Sequence, residues 1–284
     1  MASIDPAAPA NTGSVDLVAP HVWRIVAPNP SALTGQGTNT YVVGDRRKVV
    51  IDPGPDDPAH LERILAAADG SIAQILCTHS HTDHSPGAAP LKAMTGAPVC
   101  GRPAPDDSYQ DPTYAPDRSL DDGERIDAGS VALRALHTPG HASNHVCLLI
   151  EDSGLLFTGD HLMSGSTVVI LPPDGSMRLY LESLGSLANS PVVALAPGHG
   201  SVIADAQGEI RRVIAHRLKR EEKVVAALSR RGQATIADLV PEVYDDTPAH
   251  LHRLARFSLL AHAIKLEEEG RAVSRGDHWT WLGP

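Results

Sequence analysis

Residues 78–84 read Thr-His-Ser-His-Thr-Asp-His and follow directly on the apolar run Ala73–Cys77. Three imidazoles and a carboxylate so close together constrain the chain more than any other segment. A strand leading into a turn of ligand-type side chains is how α/β sheets build sites at their strand ends. Alternate residues of an extended loop point to one side, so His79 and His81 can share one ion while Asp83 and His84, further round the turn, reach a second. Imidazole and carboxylate suit zinc, with iron and manganese as alternatives. Two ions need more donors. His141 in TPGHASNH, Asp160 in LLFTGDH and His199 in APGHG each stand just past an apolar run and are expected at the same sheet edge.

The pattern around these residues is that of alternating strands and helices. HVWRIVAP, TNTYVVGD and RKVVIDPG read as strands, the last two joined by a polar turn at Gly44 to Arg46. DPAHLERILAAA has helical periodicity, with Asp57 as N-cap and Pro58 at the first helical position, and AQILCT follows as a buried strand. SPGAAPLKAMTG reads as a short helix and PVC as a strand. The Pro- and Asp-rich stretch from Arg102 to Asp122 then reads as a long functional loop or lid. SVALRALHT, HVCLLIED and GLLFTGD are strands again. GLLFTGD repeats the pattern of KVVIDPG, a hint of two related halves.

From Gly208 the chain turns to long helices. EIRRVIAHRLKREEKVVAALSRR carries apolar residues at Ile210, Val213, Ile214, Leu218, Val224, Val225 and Leu228. Its eight Lys and Arg against three Glu between Glu209 and Arg231 read by default as a solvated face, and more sharply as an RNA-guiding surface. TIADLVPEVY and HLHRLARFSLLAHAIKLEEEG give two further helices, and RAVSRGDHWTWLGP a hairpin turning at Arg275 to Asp277: a small winged-helix unit. The expected division is a mobile tail over residues 1–13, a catalytic domain over 14–207 and a winged-helix-like domain over 208–284.

Composition narrows the partners. A net charge of −10 opposes non-specific attraction to phosphate backbones, and an aromatic share of 4% argues against broad base-stacking surfaces. No apolar run is long enough to span a bilayer, and the opening residues lack the basic and apolar regions of a secretory leader, so no membrane partner and a cytoplasmic location are expected. Cys77, Cys100 and Cys147 have no framework spacing and read as buried thiols.

The ordered set H-x-H-x-D-H, TPGH, GD and PGHG resembles the metallo-β-lactamase superfamily over residues of roughly 20 to 205. The resemblance implies a four-layer αββα sandwich of two related halves with a small winged-helix module, α/β in class. It implies two Zn2+ ions, the first on His79, His81 and His141, the second on Asp83, His84 and His199, with Asp160 between them. GTNTYVVG at Gly37 to Gly44, TPGHASNH, HRLKREE at His216 to Glu222 and the terminal winged helix resemble the lactamase-beta-2-like branch, which includes RNA endonucleases and thioesterase-like hydrolases. True β-lactamases typically lack the bridging aspartate, the tRNA-processing nucleases carry a long exosite arm not found here, and flavin-linked diiron members usually have Glu in place of His81.

The expected chemistry is hydrolysis by a metal-bridging hydroxide, with Asp83 orienting it and carrying a proton to the leaving group. Asp52 in IDPG is expected to accept a hydrogen bond that fixes the ligand loop. His145 and His161 are candidates for substrate contact or for support behind the ligands, and Arg178 and Tyr180 for anion binding in the cleft. The charge balance favours small acyl substrates, esters or thioesters. The alternatives are single-stranded RNA cleavage, a mononuclear-iron persulfide dioxygenase, and a nucleic-acid-binding regulator acting through the winged helix.

Overall fold

The computed structural model describes residues 10–283, so residues 1–9 of the expected tail lie outside the described residues. At the start of the described chain, the Gly13 amide donates to Val26 O at 2.9 Å. Two mixed sheets follow. The first runs in the order β1 (Val15–Ala19), β2 (Val22–Val26), β3 (Asn39–Val43), β4 (Lys48–Ile51), β5 (Ile72–Leu76), β6 (Val99–Cys100). Its first four strands form an antiparallel meander. β4 then pairs parallel with β5 after a crossover through α1 (Pro58–Ala67), and β6 adds parallel after α2 (Ala88–Thr95). Helix α1 starts where the sequence says it should: Pro58 opens it, and the Asp57 carboxylate accepts from the His60 amide at 2.7 Å.

The second sheet repeats the plan. β7 (Arg125–Ala128), β8 (Val131–His137), β9 (Val146–Ile150) and β10 (Leu155–Gly159) form the meander, and a crossover through α3 (Met177–Ala188) places β11 (Ala194–Pro197) parallel to β10. Strand alternation divides the side chains between layers. Val49, Ile51, Leu148, Ile150 and Phe157 meet between the sheets. Val50 and Ile75 face Leu61, Ile64 and Leu91 of α1 and α2 on one outer side, and Leu149, Leu156 and Leu195 face Tyr180 and Leu184 of α3 on the other. This is the αββα sandwich. Strands β1 and β7 escaped the sequence reading, since VDLVA and RIDA are short and carry exposed or charged residues.

The stretch from Arg102 to Asp122 is irregular and fastened to the histidine loop. The Asp111 amide donates to Ser80 O at 2.7 Å, Ser80 Oγ donates to Gln110 Oε1 at 2.5 Å, and Ser85 Oγ donates to the Asp111 carboxylate at 2.9 Å.

Helix α4 (Ala206–Arg231) corrects one expectation. Its buried stripe runs Ile210, Val213, Arg217, Arg220, Val224, Ala227, spaced three and four apart, while Leu218 is 44% exposed. Two arginines therefore occupy core-facing positions because backbone carbonyls await them: Arg217 donates to Val168 O, Arg220 to Val243 O. The solvated-face reading fails for these two. Of the others, Arg212 pairs with Glu209, Lys223 with Asp245 and Asp246, and Arg230 and Arg231 with Glu242.

The chain closes as a winged helix: β12 (Gln233–Thr235), α5 (Ile236–Val243), α6 (His252–Glu268), β13 (Ala272–Arg275) and β14 (His278–Trp281), with sheet order β12-β14-β13. Thr235 and Asp238 form a reciprocal capping box on α5. Leu239, Leu259, Leu266 and Trp279 pack against Val224 and Leu228 of α4. Among the described residues no helix is long and apolar enough to cross a membrane. The three cysteines are free and buried.

Candidate metal centre

All seven expected ligands gather at one edge of the sandwich. His79, His81, Asp83 and His84 follow β5, His141 lies in the β8–β9 loop, and Asp160 and His199 follow β10 and β11. Their donor atoms form two groups, His79 with His81 and His141, and Asp83 with His84, Asp160 and His199, the atoms of each within 4.8 Å of one another. Asp160 spans both groups: Oδ1 lies 3.3 Å from His84 Nε2 and 3.2 Å from His199 Nε2, and Oδ2 lies 3.7 Å from His141 Nε2. Glycine makes this closeness possible. A Cβ at Gly159 (φ +44°) would lie 2.5 Å from Thr78 Oγ1, and one at Gly140 (φ +146°) 2.3 Å from Tyr180 Cα.

Four of the five imidazoles have their outer nitrogen engaged. His79 Nδ1 meets Thr78 Oγ1 at 3.0 Å, His84 Nδ1 meets Asp52 Oδ2 at 2.9 Å, His141 Nδ1 meets Val169 O at 2.9 Å and His199 Nδ1 meets Gly37 O at 3.3 Å. Since Thr78 Oγ1 donates to Asp52 and the rest are oxygen acceptors, each of these Nδ1 atoms carries a proton, and Nε2 is the nitrogen each ring turns toward the cluster. His79 Nε2, His84 Nε2 and Asp160 Oδ1 are buried without a hydrogen-bond partner. Buried polar atoms without partners are costly, and a cation held between them would satisfy them. This donor set therefore fits metal ions.

The two groups differ electrostatically. Burial and crowding by neighbouring imidazoles hold His79 well below the usual histidine range, and burial with His141 takes His81 down to about 4. Neutral imidazoles offer lone pairs without proton competition. In the second group burial would lower His84 and His199 as well, but the carboxylates outweigh it. Asp83, Asp160 and Asp52 lift His84 well above the usual range, and Asp160 with Asp83 raises His199 to about 9. Burial in turn would raise Asp160, and His199 and His84 push it well below the usual carboxylate range instead. This half of the cluster gathers positive charge.

Asp52 does what the sequence reading asked of it. Oδ1 accepts from the Thr78 amide at 2.7 Å, and Oδ2 accepts from Thr78 Oγ1 at 2.8 Å and from His84. His145 and His161 are fully buried and stand behind the ligands, out of a substrate's reach. Burial foremost keeps both unprotonated, His161 at about 3. The anion-binding expectation for Arg178 and Tyr180 is corrected. Arg178 pairs with Glu182 and with Glu268 of α6, and Tyr180 is buried with its hydroxyl donating to His161 O at 2.8 Å. One support was missed. Asn39 Nδ2 donates to Pro197 O and Gly200 O, both at 2.8 Å, holding the His199 turn against the first sheet. The polar Thr38-Asn39-Thr40 opening an otherwise apolar strand was its sequence signal.

Comparison with known proteins agrees with this geometry. The model of the metallo-beta-lactamase superfamily matches residues 33–199, and that of the beta-lactamase associated winged helix domain matches residues 235–281. A beta-lactamase-like protein 2 homolog of Drosophila melanogaster is 34% identical over 267 residues, 88% of this chain and 89% of that protein. An atrochrysone carboxyl ACP thioesterase of Aspergillus chevalieri is 33% identical over 257 residues, 85% of this chain and 79% of that protein. The crystal structure of a beta-lactamase domain protein from Burkholderia ambifaria superposes with a TM-score of 0.80 at 23% identity, covering 98% of this chain and 95% of that one, and shares the fold.

Proposed function

We propose, from the premise that this chain belongs to the metallo-beta-lactamase superfamily, that it is a two-metal hydrolase of small ester or thioester acyl substrates. The observation that carries the reading is the pair of adjoining donor groups spanned by Asp160, with imidazole Nε2 atoms turned inward. His79, His81 and His141 would hold one ion, Asp83, His84 and His199 the other, and zinc suits this donor set. Bound there, the two ions would supply a Lewis acid for the substrate oxygen and lower the pKa of a water towards about 7.

The remaining chemistry falls to the protein. Asp83 is the more open acid, 28% exposed against 13% for Asp160, with Oδ2 3.2 Å from His199 Nε2. Burial would raise its pKa, but His84 and His199 lower it, so it stays an acceptor. It would take the proton of the attacking water and return it to the leaving group. The preference for acyl substrates draws on two further observations. Among the described residues, six of the eight cations on α4 are buried or ion-paired, all but Arg211 and Lys219, which weakens its pull on a polyanion, and the Aspergillus chevalieri relative is named as a thioesterase.

The test compares kcat/KM on a thioester and on a single-stranded RNA at two salt concentrations. The thioester should be turned over more efficiently, and any RNA cleavage should fade steeply with salt. Faster RNA cleavage that persists at the higher salt would overturn the acyl assignment.

A further inference from the structure

We propose that Arg217 of α4, although outside the ligand set, is a positioning residue for His141 and sets the affinity of the cluster for its ions. This rests on the reading of His141 as a ligand. The segment around Val168 to Ile170 belongs to no helix or strand, and among the described residues no backbone group pairs with it. Side chains hold it instead. Arg217 donates to Val168 O at 2.5 Å, and the Ile170 amide donates to Ser258 Oγ of α6 at 3.4 Å. Between these two anchors, Val169 O accepts from His141 Nδ1 at 2.9 Å. The helices of the C-terminal region thus fix the carbonyl that fixes the imidazole.

Two features separate Arg217 from an ordinary packing residue. It is 3% exposed, its Nε has no hydrogen-bond partner, and among the described residues no carboxylate pairs with it. A buried cation kept without an acid is expensive, and here it is retained for one carbonyl and for the face of Tyr180, whose ring centroid lies 5.3 Å away. That tyrosine leads to the site as well, since its hydroxyl donates to the carbonyl of His161, the residue after Asp160. Releasing the Val168 carbonyl frees the adjoining peptide, lets the Val169 carbonyl turn, and removes the constraint that keeps the His141 Nε2 lone pair on the cluster. Outer supports of metal-ligating histidines typically change metal affinity by about 10- to 100-fold.

The experiment measures zinc affinity of the full-length metal-free chain by equilibrium competition with a chromophoric chelator, with thermal stability recorded on the same metal-free samples. Arg217→Met should weaken binding of one ion by about 10- to 100-fold, and Arg217→Lys should recover part of the loss because an ammonium can still reach one carbonyl. Arg220→Met, which removes the partner of Val243 O and Asp246 without touching the 168–170 segment, should lose stability while keeping the wild-type affinity. Should Arg217→Met not fold, Ser258→Ala releases the other anchor and should weaken zinc binding several-fold. His141→Ala is the control for the underlying reading. Unchanged zinc affinity in His141→Ala means that His141 is not a ligand. If Arg217 acts through His141, the variant carrying both His141→Ala and Arg217→Met should bind zinc no more weakly than His141→Ala alone; losses that simply add there, or weakened binding in His141→Ala with wild-type binding in Arg217→Met, would overturn the positioning role.

Discussion

The two sheets repeat one plan, and the strand before each crossover closes with an acid: Asp52 after β4 and Asp160 after β10. The positions correspond, but the side chains do not share a task. Asp52 is 2% exposed, sits at φ +50° and spends both oxygens on donors from Thr78 and His84. Asp160 has an Oδ1 without any hydrogen-bond partner and turns it to His84 and His199. What distinguishes a candidate ligand from a brace is therefore the supply of nearby N–H and O–H groups. In the first half Thr78 provides two. In the second half the strand after the crossover, β11, is followed by Gly198, which lies beside Asp160 Oδ1 and offers it no side-chain donor.

The sharpest way to break the comparison is to neutralise each acid in turn. Asp160→Asn should lower kcat/KM by at least about 10²- to 10³-fold and reduce bound metal, because it removes the charge shared by both donor groups. Asp52→Asn should keep most of the metal and cost about 10- to 100-fold, acting through the orientation of His84. Steady-state kinetics and elemental analysis on both variants decide the matter. Equal losses of metal and activity would mean that the two acids do the same work.

The division between legible and hidden features follows the same line. The grouping of the candidate ligands was readable because their chemistry lies in residue identity and local spacing, as in His79 to His84. The layers were readable from alternation, Val49 and Ile51 inward and Val50 outward, together with the family resemblance. Hidden were the features whose partners are main-chain atoms. Arg217 and Arg220 read as solvated because nothing in the sequence shows that carbonyls of Val168 and Val243 wait opposite them. Tyr180 read as a cleft residue for the same reason, its partner being the carbonyl of His161, and Arg178 because its partner Glu268 lies 90 residues away on α6.

The brace around Asp52 extends to His60, and this gives the next test. Thr40 Oγ1 donates to Asp52 O at 2.7 Å and meets His60 Nε2 at 2.8 Å, so Nε2 carries a proton and donates to it. Burial takes its pKa from 6.5 down to about 4, with Asp57 opposing. A histidine depressed in the folded state contributes stability that is full above its unfolded pKa and is lost as pH falls through the folded one. Between pH 6.5 and 4 the metal-free protein should therefore lose roughly 3 kcal/mol through this group. His60→Gln should be less stable at pH 8 and show a flatter pH dependence. Urea unfolding of both proteins across this range checks the slope, and identical slopes would remove His60 from the brace.

The smallest expected effect concerns the two crossover helices, each begun by a side-chain cap of different quality. At α1 the ionised Asp57 accepts from the His60 amide at 2.7 Å, whereas at α3 the neutral Ser176 hydroxyl accepts from the Leu179 amide at 3.4 Å. A short charge-assisted bond at the positive end of a helix outweighs a long neutral one. Asp57→Ala should cost about 1 kcal/mol and Ser176→Ala less, on the order of 0.5 kcal/mol. The measurement belongs at pH 8, where His60 is neutral with or without the Asp57 charge, so that the cap alone is read. The Ser176 amide also donates to Gly140 O at 2.8 Å, but alanine keeps that bond, so the His141 loop should hold and kcat/KM should change by no more than about twofold. An equal cost for the two substitutions would show that the 3.4 Å contact caps as well as the shorter one, and that the halves differ only in what their acids face.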